Sequence, residues 1–376
     1  MILSGSDFLK DKVNRKESQT LPLDSIFNTF SLSANYGFGR RIVLRPIKVV
    51  LANRRGGLYW SIEELFSSIS LALPTWVESR VVSAPRAGAS LHSLVANLLW
   101  GRSLNCCDIV HQTGDIHYAI LAVWWPPVVL TIHDLRFYEE SRGLKRFLFW
   151  WIWLYLPCLR ATRVTVISEF TKKRLLSLCQ VNPAKIRVIP NCVDPHFAAA
   201  DKPWHDGQSC LLLVGTTPNK NVDRVIRACT GLKVTLAILG CLSDDHRGEL
   251  DANNLQYSEF SNLSKAAVVR LYQQADIVVF VSTYEGFGMP ILEAQSVGRP
   301  VLTSNISPMC DVAGDGALKV DPFDVVSIRS GLLQLLEDEH LRKDLVQKGL
   351  RNVEAYTAES VAGQYAALYR EILSNP

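Results

Sequence analysis

Glu285 and Glu293 frame the stretch Glu-Gly-Phe-Gly-Met-Pro-Ile-Leu-Glu, a Glu-x7-Glu spacing interrupted by two glycines and a proline. Glu293, expected in a first helical turn, would by itself be explained as a partner of the positive helix end, worth roughly 0.3 to 1 kcal/mol. Glu285 sits in the loop and has no such explanation. A carboxylate beside glycines at a strand end is suited to accept hydrogen bonds from the hydroxyl groups of a polar ligand. Two further side chains stand at comparable breaks. His133, followed by Asp134, ends the run Val128-Val129-Leu130-Thr131-Ile132, and Lys220 comes shortly after Gly215, which ends Cys210-Leu211-Leu212-Leu213-Val214. A lysine just past a strand-end glycine can neutralise a diphosphate, and that charge matters most when the diphosphate departs as a leaving group.

The elements that must position these groups follow one pattern. Ile277-Val278-Val279-Phe280-Val281 is short and continuously apolar, as in a parallel strand buried on both faces. Gly286 and Gly288 let the backbone turn and approach a bound group, and Pro290 suits the first turn of a helix. Gly298-Arg299-Pro300 stops that helix, and Val301-Leu302-Thr303 starts the next strand. Strand, glycine loop and helix recur at Ile47–Asn53 with Arg54-Arg55-Gly56-Gly57 and a helix from Ser61. Further strands are expected at 108–111, 128–132, 164–168, 186–189, 210–214 and 234–239, with Ser168 capping a helix. Such alternation makes a doubly wound parallel sheet in each half, with ligands at the carboxyl ends of the strands.

A chain of 376 residues, 48% hydrophobic and 20% charged, is globular and long enough for two ordinary domains. Its nine cysteines include no C-x2-C pair, so a zinc site or disulfide framework is not expected. Residues 1–200 hold 24 Lys and Arg against 14 Asp and Glu, whereas the remainder holds 16 against 22. The basic first half therefore suits an anionic surface or substrate. Nucleic acid is not the expected partner, because no basic run interleaves with aromatics outside one tryptophan-rich segment. Residues 1–20 have no apolar core of a signal peptide, and no run approaches the roughly 18 to 20 apolar residues needed to span a bilayer. No Asp-x-Asp pair occurs, so metal-chelated diphosphate binding is not expected.

The motif EGFGMPILEAQ, with Gly298 and Pro300 in register, resembles the signature of retaining glycosyltransferases of family 4, which have the GT-B fold. His133-Asp134-Leu135, ISEFTKKRL and KIRVIPNCVD resemble further elements of that family. The resemblance implies an α/β protein with two Rossmann-like domains facing across a cleft. It implies that Glu285 meets the donor sugar, that His133 touches the transferred sugar with Asp134 fixing its orientation, and that Lys220 contacts the donor phosphates. Glu293 would meet the ribose hydroxyls, and Gly215, Thr216, Asn221 and the loop Gly286, Phe287, Gly288 and Met289 would complete the donor site. Gly56 and Gly57 would lie against the donor or acceptor. Independently of the resemblance, His111 and His117, in His-Gln-Thr-Gly-Asp-Ile-His, are expected with Asp134 on the acceptor side. Two residues depart from the family pattern: Thr216 stands where many relatives carry an Arg, and Cys192 where Gly is usual.

Residues 1–45, rich in Ser, Asn, Lys and Gly and not covered by the resemblance, are an expected extension; 46–194 are the expected acceptor domain, 195–209 a linker and 210–356 the nucleotide-sugar domain. By the resemblance, residues 357–376 form a helix crossing back to the first domain. The expected reaction is retaining transfer of a hexose, first choice mannose from GDP-mannose, to a glycan or polyprenyl-linked acceptor in cell-surface polysaccharide synthesis, without a cofactor or metal. A nucleotide-sugar epimerase of the same fold and a silent nucleotide-sugar-binding subunit are the alternatives. The run Phe147–Leu156, with three tryptophans and flanking Lys145, Arg146, Arg160 and Arg163, is too short to span a bilayer but suits its interfacial region. A helix apolar on all sides also fits burial in the core. The expected place is the cytoplasm, peripheral on the inner face of the plasma membrane.

Overall fold

A computed structural model describes residues 45–54, 62–87, 90–139, 141–204 and 207–374. Two six-stranded parallel sheets organise it. The first is built from β1 (Ile47–Asn53), β2 (Val77–Ser83), β3 (Ile109–Gln112), β4 (Val128–Ile132), β5 (Arg163–Val166) and β6 (Ile186–Val188), in the order β2-β1-β3-β4-β5-β6. The second is built from β7 (Ser209–Val214), β8 (Val234–Leu239), β9 (Gln256–Phe260), β10 (Ile277–Phe280), β11 (Val301–Ser304) and β12 (Leu318–Val320), in the order β12-β11-β10-β7-β8-β9. The central strands are apolar along their whole length because helices cover both faces: β4, β10 and β11 are buried at every position.

Each sheet reverses its winding once. The chain moves from β1 to β2 and then returns to the other side of β1 for β3. In the second sheet it moves outward through β8 and β9 and returns beside β7 as β10. Loops that leave neighbouring strands toward opposite faces at such a reversal open a crevice, which is where ligands bind in open α/β sheets. Gly215 and Lys220 follow β7, and Glu285 follows β10, so these three residues stand at the crevice of the second sheet.

The last helix, Ala358–Ser374, does not pack on the sheet nearest to it in sequence. Val361, Tyr365, Ala366 and Tyr369 join the core formed by Val49, Leu51, Phe66, Ile69 and Val129 of the first half. Arg163 and Arg187 reach Glu371 at 3.0 and 3.1 Å, fixing that helix beside β5 and β6.

The tryptophan-rich run is partly interior. Trp150–Tyr155 is wound as a π-helix in which Trp153 and Leu154 are buried, and the Trp150 indole donates to the Leu178 carbonyl at 2.8 Å. Exposed apolar side chains of this region include Leu144, then Phe147 and Leu148 at the start of the run and Leu159 after it; Trp124 and Trp125 are exposed in the loop before β4. No helix of the described residues is long and apolar enough to cross a membrane. All nine cysteines are free thiols.

Candidate active site

The glycine after β7 shapes the position of Lys220. Gly215 has φ of +88°, and a Cβ there would lie 2.9 Å from Cε of Lys220 and 3.1 Å from its Cγ, so the lysine stem lies across a surface that only glycine leaves open. The ammonium reaches Glu285 Oε1 at 2.6 Å and sits 4.5 Å from the centre of the Phe280 ring. Asn219 Nδ2 donates to the same carboxylate oxygen at 3.2 Å and to the Tyr284 carbonyl at 2.9 Å. The two charged side chains are only 19% and 16% exposed. Attraction between them is therefore weakly screened, and losing either partner would strand a charge. Thr216 turns away from this pair and donates to the Cys241 carbonyl at 2.7 Å.

Asn221 adopts the left-handed conformation, with φ of 64°, and is buried. Its amide donates to the carbonyls of Val281 at 3.1 Å and Pro322 at 2.6 Å, and its oxygen accepts from Arg224. Asn221 thus staples the loop after β7 to the segments after β10 and β12. Its polar atoms are spent on the protein.

Gly288, with φ of +116°, leads into the helix Met289–Ser296, and Gly298, with φ of +73°, follows its end. Phe287 buries its ring against Tyr356. Glu293 is the fifth residue of its helix, just past the first-turn position expected for it, because the helix begins at Met289 and no acidic residue falls in its first turn. Its partner is accordingly a side chain and not the helix end: the Tyr272 hydroxyl donates to Glu293 Oε2. Burial pushes the Glu293 carboxyl up to about 7, against the opposing pull of that hydrogen bond.

The two halves meet at the glycine loop. A Cβ on Gly286 would come within 3.0 Å of the His133 carbonyl oxygen and 3.2 Å of Asp134 Cβ, so glycine permits this approach. Ser168, which caps the helix Glu169–Leu178 by accepting from Thr171 N, also donates to the Gly286 carbonyl at 3.1 Å. Tyr284 donates to Glu139 Oε2 at 2.7 Å. Lys265 bridges Asp194 at 2.7 Å and Glu64 at 3.0 Å. Between these ties lies a cavity of about 250 Å³, lined by His133, Asn191, Cys192, Asp194, Met289 and Glu293 with residues of the helix Ile62–Ala72.

His133 Nε2 lies 2.9 Å from the Thr113 carbonyl oxygen, which can only accept, so Nε2 carries the hydrogen and Nδ1 is an acceptor. Burial lowers its pKa to about 4, which keeps the ring neutral. Orientation of this ring therefore comes from Thr113. Asp134, expected to supply it, is exposed and accepts from the Arg136 backbone N–H at 3.1 Å.

His111 and His117 are interior and do not face the cleft. His111 is fully buried between Tyr369 and Thr131, at 2.7 and 2.6 Å, and burial lowers its pKa to about 3. His117 donates through Nδ1 to the Trp153 carbonyl at 2.8 Å. Gly56 and Gly57 lie outside the described residues. Asn219, Tyr272, Tyr284, Glu139 and Lys265 were not among the expected site residues. Asn219 alone carries a local signal, its place in the Pro-Asn-Lys-Asn turn after β7.

Comparison with known proteins bears on the family and the fold. Residues 64–197 match the model for Glycosyltransferase Family 4, and residues 198–351 match that for Glycosyl transferases group 1. O-antigen chain mannosyltransferase B of Escherichia coli is 40% identical over 100 residues, 27% of this chain and 26% of that protein. GDP-mannose:cellobiosyl-diphosphopolyprenol alpha-mannosyltransferase of Xanthomonas oryzae pv. oryzae is 26% identical over 319 residues, 77% of this chain and 80% of that one. Against three of the curated relatives the matched stretch spans 26%, 62% and 54% of the relative's own length. The crystal structure of Anabaena HepE in complex with UDP and glucose superposes with a TM-score of 0.69 at 14% identity, covering 86% of this chain and all of that one, which supports the shared fold. With two glycosyltransferase models matched in tandem over 64–351 and two parallel sheets closing on one cleft, the chain belongs to the family 4 glycosyltransferases of the GT-B fold.

Proposed function

We propose that this chain transfers a hexose, mannose from GDP-mannose in the first instance, from a nucleotide sugar to a hydroxyl of a glycan or polyprenyl-linked acceptor in cell-surface polysaccharide synthesis. The observation that carries this reading is the convergence of Lys220, Asn219 and Glu285 at the crevice of the second sheet, beside His133 from the first. The choice of mannose draws on the mannosyltransferases of Escherichia coli and Xanthomonas oryzae to which the chain is similar.

In this mechanism the bond from the anomeric carbon to the departing diphosphate oxygen breaks while the acceptor oxygen bonds to the same face, giving retention. The acceptor proton passes to the leaving diphosphate oxygen. Lys220 meets the charge that develops there, with help from the N-terminus of the helix Met289–Ser296, and no metal ion is needed for that role. Glu285 and the acceptor nitrogen of neutral His133 take hydrogen bonds from sugar hydroxyls and hold the donor in the reactive orientation. Glu293 accepts the ribose hydroxyls. The acceptor enters from the first domain.

The exposed apolar side chains Leu144, Phe147 and Leu148, with Lys145 and Arg146 among them in the same helix, suit the interfacial region of an anionic bilayer, where a lipid-linked acceptor resides. Flotation with anionic liposomes tests it: wild type should float, and a Leu144/Phe147/Leu148→Ala variant should stay in the soluble fraction. Equal recovery of both in the soluble fraction would remove the membrane from this reading.

The reaction itself is tested by nucleotide release from a panel of GDP- and UDP-sugars, with and without lipid-linked acceptor. Release from one donor that rises with acceptor is expected. Sugar isomerisation without release would instead identify an epimerase, and binding without either change a silent subunit.

A further inference from the structure

Tyr272 belongs to the helix Lys265–Gln274 and is wholly buried, with its ring set edge-on to Phe197 at 5.2 Å between centroids. It belongs to an apolar core that also holds Ile291, Leu292, Ala294 and Val297, an environment that suits a phenylalanine equally well. A buried phenol needs a hydrogen-bond partner. Here that partner, Glu293 Oε2, belongs to a side chain on the wall of the cleft cavity. Burial and the adjacent Glu293 raise the Tyr272 phenol well above its ordinary value, so it remains a donor across the working pH range.

A carboxylate has two oxygens and about four acceptor positions. With one position taken from the core side, the carboxylate cannot turn freely, and its remaining positions stay available to the cavity. We propose that Tyr272 is a positioning residue for donor recognition, its hydroxyl fixing the Glu293 carboxylate so that the free acceptor positions meet a pair of neighbouring hydroxyls on the nucleotide's ribose. This rests on the assignment of Glu293 to the ribose.

The same contact influences the charge of Glu293. Burial favours its neutral form, Asp194 adds to that, and Lys220 and the Tyr272 hydroxyl oppose it. Asp194 is itself tied to Lys265, which also holds Glu64, and His133 across the cavity is neutral. The ionised carboxylate is acceptor-only, whereas protonation turns one of its positions into a donor that cannot receive a ribose hydroxyl. Nucleotide affinity therefore falls as pH drops through the Glu293 titration, and removing the phenol hydroxyl moves that fall to higher pH.

The test is calorimetric titration of GDP and of UDP into wild type, Tyr272→Phe, Glu293→Gln and the double variant between pH 5.5 and about 8.5, a range that brackets the Glu293 titration. A hydrogen bond to a charged group of about 1.5 kcal/mol corresponds to about one pH unit, so Tyr272→Phe should raise the half-loss pH by about one unit and weaken binding near neutrality several-fold. Once Glu293 is Gln there is no carboxyl to titrate, so Tyr272→Phe should no longer move the pH dependence of binding. Should Tyr272→Phe not fold, 3-fluorotyrosine at position 272 keeps the ring, donates more strongly and should lower the half-loss pH. Wild-type affinity and half-loss pH in Tyr272→Phe, with binding weakened in Glu293→Gln, would overturn the role of Tyr272 while sparing that of Glu293. Unchanged binding in Glu293→Gln would overturn both.

Discussion

Glu293→Gln should stabilise the protein in alkaline solution relative to acid. An acid whose folded pKa lies above its unfolded value leaves the native state holding more protons between the two, so stability falls as pH rises through that window. Burial takes the Glu293 carboxyl from 4.5 to about 7. At about 1.4 kcal/mol per unit the whole window corresponds to about 3 kcal/mol, of which about 2 to 3 kcal/mol falls between pH 5 and pH 8. Gln carries no charge at either pH and escapes this loss, while it can still accept from Tyr272. The advantage of Gln over Glu should therefore grow by about 2 to 3 kcal/mol from pH 5 to pH 8, or roughly 5 to 10 °C in the second domain's midpoint. Thermal unfolding of both proteins at the two pH values, at matched ionic strength, measures the difference. If the two midpoints differ equally at pH 5 and pH 8, the carboxylate is not desolvated as the structure implies, and the reasoning about Tyr272 loses its support as well. The expected gain accompanies a loss of donor binding, so the same carboxylate is useful to the site and costly to the fold.

His133→Ala should lower turnover by at least about tenfold, equivalent to about 1.4 kcal/mol of transition-state stabilisation, and unchanged steady-state turnover would remove His133 from the mechanism. Gly215→Ala forces a Cβ into Lys220 at a left-handed backbone position and should cost about 1 to 2 kcal/mol of stability together with nucleotide affinity; unfolding and binding curves matching wild type would show that Lys220 lies elsewhere. Tyr284→Phe deletes the 2.7 Å bond to Glu139 that joins the two halves. It should cost about 1 kcal/mol and widen the distribution of domain separations seen by small-angle scattering, whereas identical scattering and stability would show that this tie holds nothing.

Much of the architecture is legible because parallel strands buried on both faces leave short apolar runs that end at glycine. Cys210–Val214 before Gly215 and Ile277–Phe280 before Gly286 mark β7 and β10, and the positive φ of Gly215, Gly288 and Gly298 is what the expected turns require. Partners drawn from distant segments leave no such mark. Tyr272 lies 21 residues from Glu293, and Tyr284 lies 145 from Glu139, so neither contact has a local pattern. Histidines were ambiguous for another reason. His111 and His133 both occur at the carboxyl ends of first-sheet strands, yet Tyr369 from the returning helix covers one and the cleft receives the other. The depth of Glu293 depended on where its helix starts, and a one-residue uncertainty there decides between a helix-end partner and a buried tyrosine.

The central claim is that sugar transfer occurs where Lys220 and Glu285 meet. It is tested most directly by single-turnover transfer of labelled sugar to lipid-linked acceptor, comparing wild type with Glu285→Gln on the donor that the panel selects, alongside nucleotide affinity for each. The account predicts a rate at least about tenfold lower in Glu285→Gln, with the transferred sugar keeping the donor's anomeric configuration in wild type. Undiminished transfer by Glu285→Gln, or an inverted product, would contradict it.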